Sequence, residues 1–351
     1  MNAGLVSMSN LVDLDQMANY FYNLQSHDYI EYIEPNYIYQ SLNLTSDERS
    51  NELWGLKNIG QTIQQQSGVA GIDINIEEAW EITQGDEEVI VAVIDSGVDI
   101  NHPDLKDRIW TNPNEIENGV DSSGNGYVDD IHGWDFYNNN NTVFNAEDGD
   151  EHGTHVAGTI AATQNDIGIV GVAPNVKIMP LKFLGPNGGS LSDAIAAIEY
   201  ASDMGATIAN NSWGGGGYSQ ALKDAIDNSG MLFIAAAGNE SVNNDGGGWF
   251  APQPSYPASY DLPNVISVAA VDNRGNLASF SNYGANSVHV AAPGVSILST
   301  LPGNEYGYLN GTSMAAPHVA GVAALLLTNG VTDPLEMKDN ILDSVTPLSS
   351  L

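Results

Sequence analysis

At 351 residues the chain is long enough for one large domain with a small appendage. Nine Lys+Arg against 44 Asp+Glu leave a net charge of −35, spread along the chain, which argues against nucleic acid or an anionic membrane as partner and points to cation binding and to solubility in a salty medium. No run of about eighteen apolar residues occurs, so no segment reads as a membrane span. The absence of cysteine removes disulfides, thiolate metal sites and cysteine nucleophiles.

Met1 to Asn10 lack the basic flank and apolar core of a signal peptide, so an export signal is expected to have been removed or left out. Asp13 to Gln25 has helical spacing, and Tyr29 to Tyr39 alternates or runs apolar like a strand, about half of a small α+β module. The polar stretch that ends at Glu52 reads as a linker. The main domain begins near Leu53-Trp54-Gly55-Leu56, giving a division into residues 1–42, 43–52 and 53–351.

From Glu77 onward strands and helices alternate. The strand pattern covers Val89–Ile94, Val176–Phe183, Ala206–Asn210, Met231–Ala237, Val265–Val271 and Val288–Ala292. Helical patterns cover His152–Ala162, Ser192–Met204, Tyr218–Ser229, the stretch after Ser313, and Pro334–Ser344. Apolar strands separated by helices predict an α/β fold with a mostly parallel central sheet covered by helices on both faces, whose sites lie at the carboxyl ends of the strands. Asp95 and Asn239 fall at such ends.

Three stretches carry chemistry. Asn310-Gly-Thr-Ser313-Met-Ala-Ala-Pro-His318 places a serine at the first turn of a buried helix, where backbone N–H groups stabilise negative charge. By itself the stretch reads first as a helix cap, with Thr312 or Ser313 accepting from a free N–H. His152-Gly-Thr-His155 opens a helix; an isolated reading is a histidine cap or an H-x-x-H metal pair. Asp95 alone could be a turn residue. Together they answer one need: a serine hydroxyl requires a base, and the base requires a carboxylate to fix its tautomer and stabilise the imidazolium. Asn239 adds an amide N–H for a developing oxyanion, beside the backbone N–H of Ser313.

Val91-Ala-Val-Ile-Asp95-Ser-Gly-Val-Asp, His152-Gly-Thr-His-Val-Ala-Gly-Thr, Ala236-Ala-Gly-Asn239 and Gly311-Thr-Ser313-Met-Ala-Ala-Pro resemble the four signature motifs of the subtilisin-like serine proteases, in the same order along the chain. The resemblance runs from about Leu53 to Thr328. It implies that Asp95 orients, His152 is general base then acid, Ser313 attacks the scissile carbonyl and Asn239 lines the oxyanion hole, with His155 structural. It also implies that Ser212, Trp213 and Gly214 pair with substrate backbone, that Gly188 and Gly189 face them across the peptide, and that Ser255 floors the main specificity pocket. An enlarged loop from Ser241 to Pro254, with Trp249 and Phe250, departs from the family pattern.

Asp121, Ser123, Asn125, Asp129 and Asp130 approximate the start of a calcium loop, with Gly126 at its turn and without the distal glutamate of an EF-hand. The resemblance separately implies a calcium site from Asp104, Thr163, Asn165, Ile167 and Ile169, so two or more Ca2+ ions are expected. By the same resemblance, Asp13 to Tyr39 is similar to the second half of an inhibitory propeptide, with self-cleavage between Tyr39 and Leu44. The expected protein is a secreted, monomeric endopeptidase acting on polypeptides. An α/β-hydrolase esterase fails on residue order and on Ala315 where its motif has glycine. A catalytically silent binding protein on the same fold is the alternative.

Overall fold

The computed structural model describes residues 44–246 and 254–348. The chain divides between Leu42 and Asn43, and the described residues all belong to the second unit. The propeptide-like stretch, Trp249 and Phe250 lie outside the described residues.

The strands are β1 (Thr62–Ile63), β2 (Gln66–Ser67), β3 (Ile90–Asp95), β4 (Trp134–Asp135), β5 (Lys177–Lys182), β6 (Ile208–Asn211), β7 (Leu232–Ala236), β8 (Val265–Val271), β9 (Val290–Pro293), β10 (Ile297–Leu301) and β11 (Glu305–Leu309). The α-helices are α1 (Ile76–Trp80), α2 (Glu151–Ala161), α3 (Leu191–Asp203), α4 (Gln220–Asn228), α5 (Thr312–Thr328) and α6 (Pro334–Asp343). Seven strands form one sheet in the order β4-β5-β3-β6-β7-β8-β9, every neighbouring pair parallel. The expected α/β architecture is therefore the one observed.

The central strands are buried without alternation because both faces are covered: every residue of β7 and β8 is buried. Successive side chains go to opposite layers. In β3, Val91 and Val93 enter the core shared with α2 and α5, whereas Ala92 and Ile94 enter the core shared with α3 and α4.

Helix α5 is apolar nearly all round and mostly buried, the pattern of a core helix. It contains Pro317, which has no N–H to give to the carbonyl of Ser313 four residues earlier. That carbonyl instead accepts from Ser212 Oγ at 2.8 Å. A local break in the ladder thus ties the start of α5 to the end of β6.

The hairpin β10–β11, which the strand pattern did not suggest, clamps α2: Ser299 Oγ donates to the His155 carbonyl at 2.7 Å and Thr300 Oγ1 to the Thr154 carbonyl at 2.8 Å. Residues 44–52 belong to the stretch read as a linker. Residues 44–52 are folded onto the domain, with the Arg49 N–H on the Gly168 carbonyl at 2.8 Å and Asp47 buried. Their polar side chains find polar partners there, so a polar stretch need not be a solvated one.

Candidate active site

Asp95 ends β3 and is fully buried. His152 lies in the first turn of α2. The two meet because glycines let their supports touch: a Cβ on Gly153 would lie 2.3 Å from the Gly97 carbonyl oxygen. The Gly153 N–H also donates to Ser96 Oγ at 3.1 Å. His152 Nδ1 is 2.7 Å from Asp95 Oδ1. A carboxylate only accepts, so Nδ1 carries the hydrogen and Nε2 is left as the acceptor. Burial disfavours the imidazolium, but the Asp95 charge, its hydrogen bond and the Glu151 charge outweigh this and raise the pKa above the usual histidine value.

His155, three residues on, is a different kind of group. Its Nε2 lies 3.0 Å from the Ile297 carbonyl oxygen and 3.2 Å from that of Gly307, so that nitrogen donates and is no metal ligand. Burial holds its pKa down at about 4.

Ser313 occupies the second position of α5. Its hydroxyl donates to the Ser212 carbonyl at 3.0 Å while Ser212 Oγ donates to the Ser313 carbonyl, a reciprocal pair that locks the serine turn to the end of β6. The nucleophile candidate is thus parked on Ser212 rather than hydrogen-bonded to His152; such bonds are often long or absent without substrate.

Asn239, just past β7, has its amide orientation fixed by chemistry. The Thr312 N–H and Thr312 Oγ1 contact one amide atom at 2.9 and 3.1 Å. A backbone N–H only donates, so that atom is Oδ1 and Nδ2 is the free donor. Thr312 Oγ1 also accepts from the Gly238 N–H at 3.1 Å. A Cβ built on Gly311 would sit 3.5 Å from the Ser313 N and 3.7 Å from Asn239 Nδ2, so one small space borders both donors. Thr312 holds Asn239, a role that its sequence position, which suggests only a capping residue, does not announce.

The two segments expected to bind substrate flank Phe183. Trp213 lies edge-on to the Phe183 ring, centroids 4.8 Å apart, and a Cβ on Gly189 would meet the Phe183 carbonyl oxygen at 2.6 Å. Gly188 closes a turn on Gly185. Ser212 and Ser255 are buried, and a Cβ on Gly214 would come within 3.1 Å of Ser255 Oγ, so Ser255 lies directly beneath that segment.

In the calcium site expected around Asp104, that residue is fully buried and accepts from Asn165 Nδ2 at 3.2 Å, the Ile169 N–H at 3.1 Å and Tyr306 OH at 2.9 Å. The Thr163 N–H donates to the Asp104 carbonyl at 2.8 Å, and the Ile167 N–H to Asn165 Oδ1 at 3.3 Å. Asp47 joins them unforeseen, accepting the N–H groups of Asn165 and Asp166 at 2.9 Å each. Two buried carboxylates meet at Asn165, and burial raises the pKa of Asp104. Carboxylate, amide and carbonyl oxygens are a hard donor set that suits calcium.

In the second loop, hydrogen bonds link Asp121 to Ser123 and to the Asn125 N–H, and Asn125 Nδ2 to Asp130 at 2.8 Å. Asp129, at φ 55°, turns away to the N–H groups of Asn118 and Gly119. Among the described residues no three His, Asp or Glu side chains cluster as metal ligands; both loops lean on amide, hydroxyl or main-chain oxygens.

The model of the subtilase family matches residues 86–350. The chain is 39% identical over 312 residues to a thermophilic serine proteinase of Bacillus sp. (strain AK1), covering 88% of this chain and 65% of that one. It is 38% identical over 316 residues to fervidolysin of Fervidobacterium pennivorans, covering 80% of this chain and 38% of that one. With subtilisin of Bacillus pumilus it shares 42% identity over 267 residues, covering 75% of this chain and 85% of that one. The chain thus spans less than two thirds of the first two relatives. With the four motifs gathered at the carboxyl edge of one parallel sheet and a match of this extent, the chain belongs to the subtilase family.

Proposed function

We propose that this protein is a serine endopeptidase that cleaves polypeptides through an acyl-enzyme. The observation that carries the reading is the Asp95–His152 hydrogen bond of 2.7 Å, which leaves Nε2 free to accept a proton. Substrate lies as an added strand along Ser212, Trp213 and Gly214, opposite Gly188 and Gly189, with its side chain over Ser255. The Ser313 hydroxyl turns from the Ser212 carbonyl to His152 Nε2, gives up its proton and attacks the scissile carbonyl. The oxyanion accepts from the Ser313 N–H and Asn239 Nδ2. His152 then delivers its proton to the leaving amine, and water enters by the reverse route.

Calcium dependence belongs to the same reading. Asp47, Asp104 and Asn165, with carbonyls of Thr163, Ile167 and Ile169, would hold one ion, and Asp121, Ser123, Asn125 and Asp130 a second. Bound calcium would supply stability by neutralising buried carboxylates. Self-processing near Tyr39 to Leu44 and secretion complete the proposal. Among the described residues no helix is long and apolar enough to cross a membrane.

The test is hydrolysis of an unstructured protein with calcium present, by the parent chain and by Ser313→Ala. The parent is expected to cut at internal bonds and the variant to be inert. Equal cleavage by both would refute the reading.

A further inference from the structure

Of the nine basic residues in the chain, all within the described residues, Lys182 alone is buried, with no exposed surface. It ends β5 with β3 on one side and β4 on the other, in register with Asp95 and with Asp135. Registered residues of parallel strands project to the same face, so the row reads Asp95, Lys182, Asp135 across the carboxyl edge of the sheet.

The Lys182 ammonium donates to the Ser96 carbonyl at 2.6 Å, to the Leu184 carbonyl at 3.1 Å and to Asp150 Oδ1, with Asp148 Oδ2 at 3.5 Å. Ser96 follows Asp95, and Asp150 precedes His152 by two residues. The ammonium therefore bridges the same two elements as the Asp95–His152 hydrogen bond. Asp150 occupies the cap position of α2 yet makes no side-chain capping bond; its other oxygen accepts the Asn145 N–H at 2.6 Å. An aspartate suited to capping is committed to Lys182 instead. Buried ion pairs add little net stability compared with apolar replacements, so stability alone does not account for this one.

We propose that Lys182 is a positioning residue of the hydrolytic site, fixing the Asp95 strand end against the His152 helix and supplying the one buried positive charge among Asp95, Asp135, Asp148 and Asp150. The inference rests on the proteolytic reading of Asp95, His152 and Ser313. Without the ammonium, the carboxylates stabilise the imidazolium and His152 becomes a poorer base at neutral pH. The charged and titratable groups that face His152 are Asp95 from β3 and Glu151 and His155 from its own helix; the lysine-centred cluster acts on it through the Ser96 and Asp150 ends of the bridge.

The test combines NMR titration of the His152 ring in the Ser313→Ala background with steady-state kinetics of the matching active chains. Lys182→Met is expected to raise the His152 pKa by about one unit, to move the acidic limb of kcat/KM by the same amount, and to lower kcat at neutral pH at least about tenfold with KM within about twofold. Lys182→Met with Asp150→Asn removes both charges; its His152 pKa is expected to return near the parent value while kcat stays low, because the bridge is still missing. A purely structural role would lower the melting temperature and leave the His152 pKa and the pH profile of the folded protein unchanged. Parent-like pKa and kcat in folded Lys182→Met overturn the proposal; where that variant does not fold, parent-like kcat in the double variant does so. If the parent chain neither hydrolyses protein nor is labelled at Ser313, the proteolytic reading fails, and the titration still decides whether Lys182 controls His152.

Discussion

Asn239 offers a way to separate catalysis from stability, because its two amide atoms serve different ends. Oδ1 accepts from the Thr312 N–H and hydroxyl at 2.9 and 3.1 Å, while Nδ2 borders the space shared with the Ser313 N–H. Asn239→Leu removes both functions. It leaves the fully buried Thr312 N–H without its acceptor, a cost of about 1–3 kcal/mol, and removes one of the two proposed oxyanion donors, an expected loss of about 10²–10³ in kcat. Asn239→Asp keeps the acceptor, and its charge lies at the start of α5, where the helix dipole favours an anion. It is therefore expected to melt at or above the parent temperature, yet to lose at least as much kcat as the leucine variant, because a carboxylate oxygen now faces the oxyanion. Thermal unfolding and hydrolysis of a chromogenic peptide give both quantities on each variant. Parent-like kcat in Asn239→Asp, or activity loss in both variants that only tracks unfolding, would refute the assignment.

The raised pKa of His152 makes the acid side of the rate profile specific. The imidazolium cannot take the Ser313 proton, so kcat/KM is expected to fall as pH drops through a midpoint above 6.5, and a rate flat through that range contradicts the role. The same shift contributes stability that is present below the unfolded histidine pKa and lost as pH rises through the folded one. Gly153→Ala forces a Cβ toward the Gly97 carbonyl oxygen, 2.3 Å away; it is expected to cost about 1–3 kcal/mol and to lower kcat at least about tenfold by parting Asp95 from His152, with an unaltered kcat counting against the contact. Calcium at about one hundred times its Kd is expected to stabilise the chain by about 2.7 kcal/mol, seen as a raised Tm. Asp47→Asn and Asp104→Asn should each shrink that rise, and a Tm identical in calcium and in excess chelator would remove calcium from the account.

What could be read from the sequence was whatever is local. Every strand of the seven-stranded sheet except the two-residue β4 is visible as an apolar run, and Asp95, His152, Asn239 and Ser313 stand out because chemistry and glycine spacing mark them within a few residues. The missing parts are pairings over long sequence distances. Asp47 reads as a solvated linker residue until it meets Asn165 and Asp166, and nothing near Thr312 announces that it holds Asn239. Lys182 leaves one faint signal, a cation that ends the apolar run Ile178–Leu181 in a chain with few cations, but its charged partners and the Ser96 carbonyl come from two distant stretches. The hairpin of β10 and β11 escaped because β11 is half exposed and carries two tyrosines and a glycine rather than an aliphatic run. Asp129 fits a cation loop by spacing, and its positive φ and its hydrogen bonds with the Asn118 and Gly119 N–H groups are features that spacing does not announce.

The central claim is that His152, oriented by Asp95, activates Ser313. Its most direct test is covalent labelling by a serine-directed fluorophosphonate, with the modified peptide mapped by mass spectrometry, on the parent chain and on folded His152→Ala and Ser313→Ala. The account predicts one adduct, on Ser313 of the parent, slowed by orders of magnitude in His152→Ala and absent in Ser313→Ala. An adduct on another residue, or labelling of Ser313 at the same rate without His152, would contradict it.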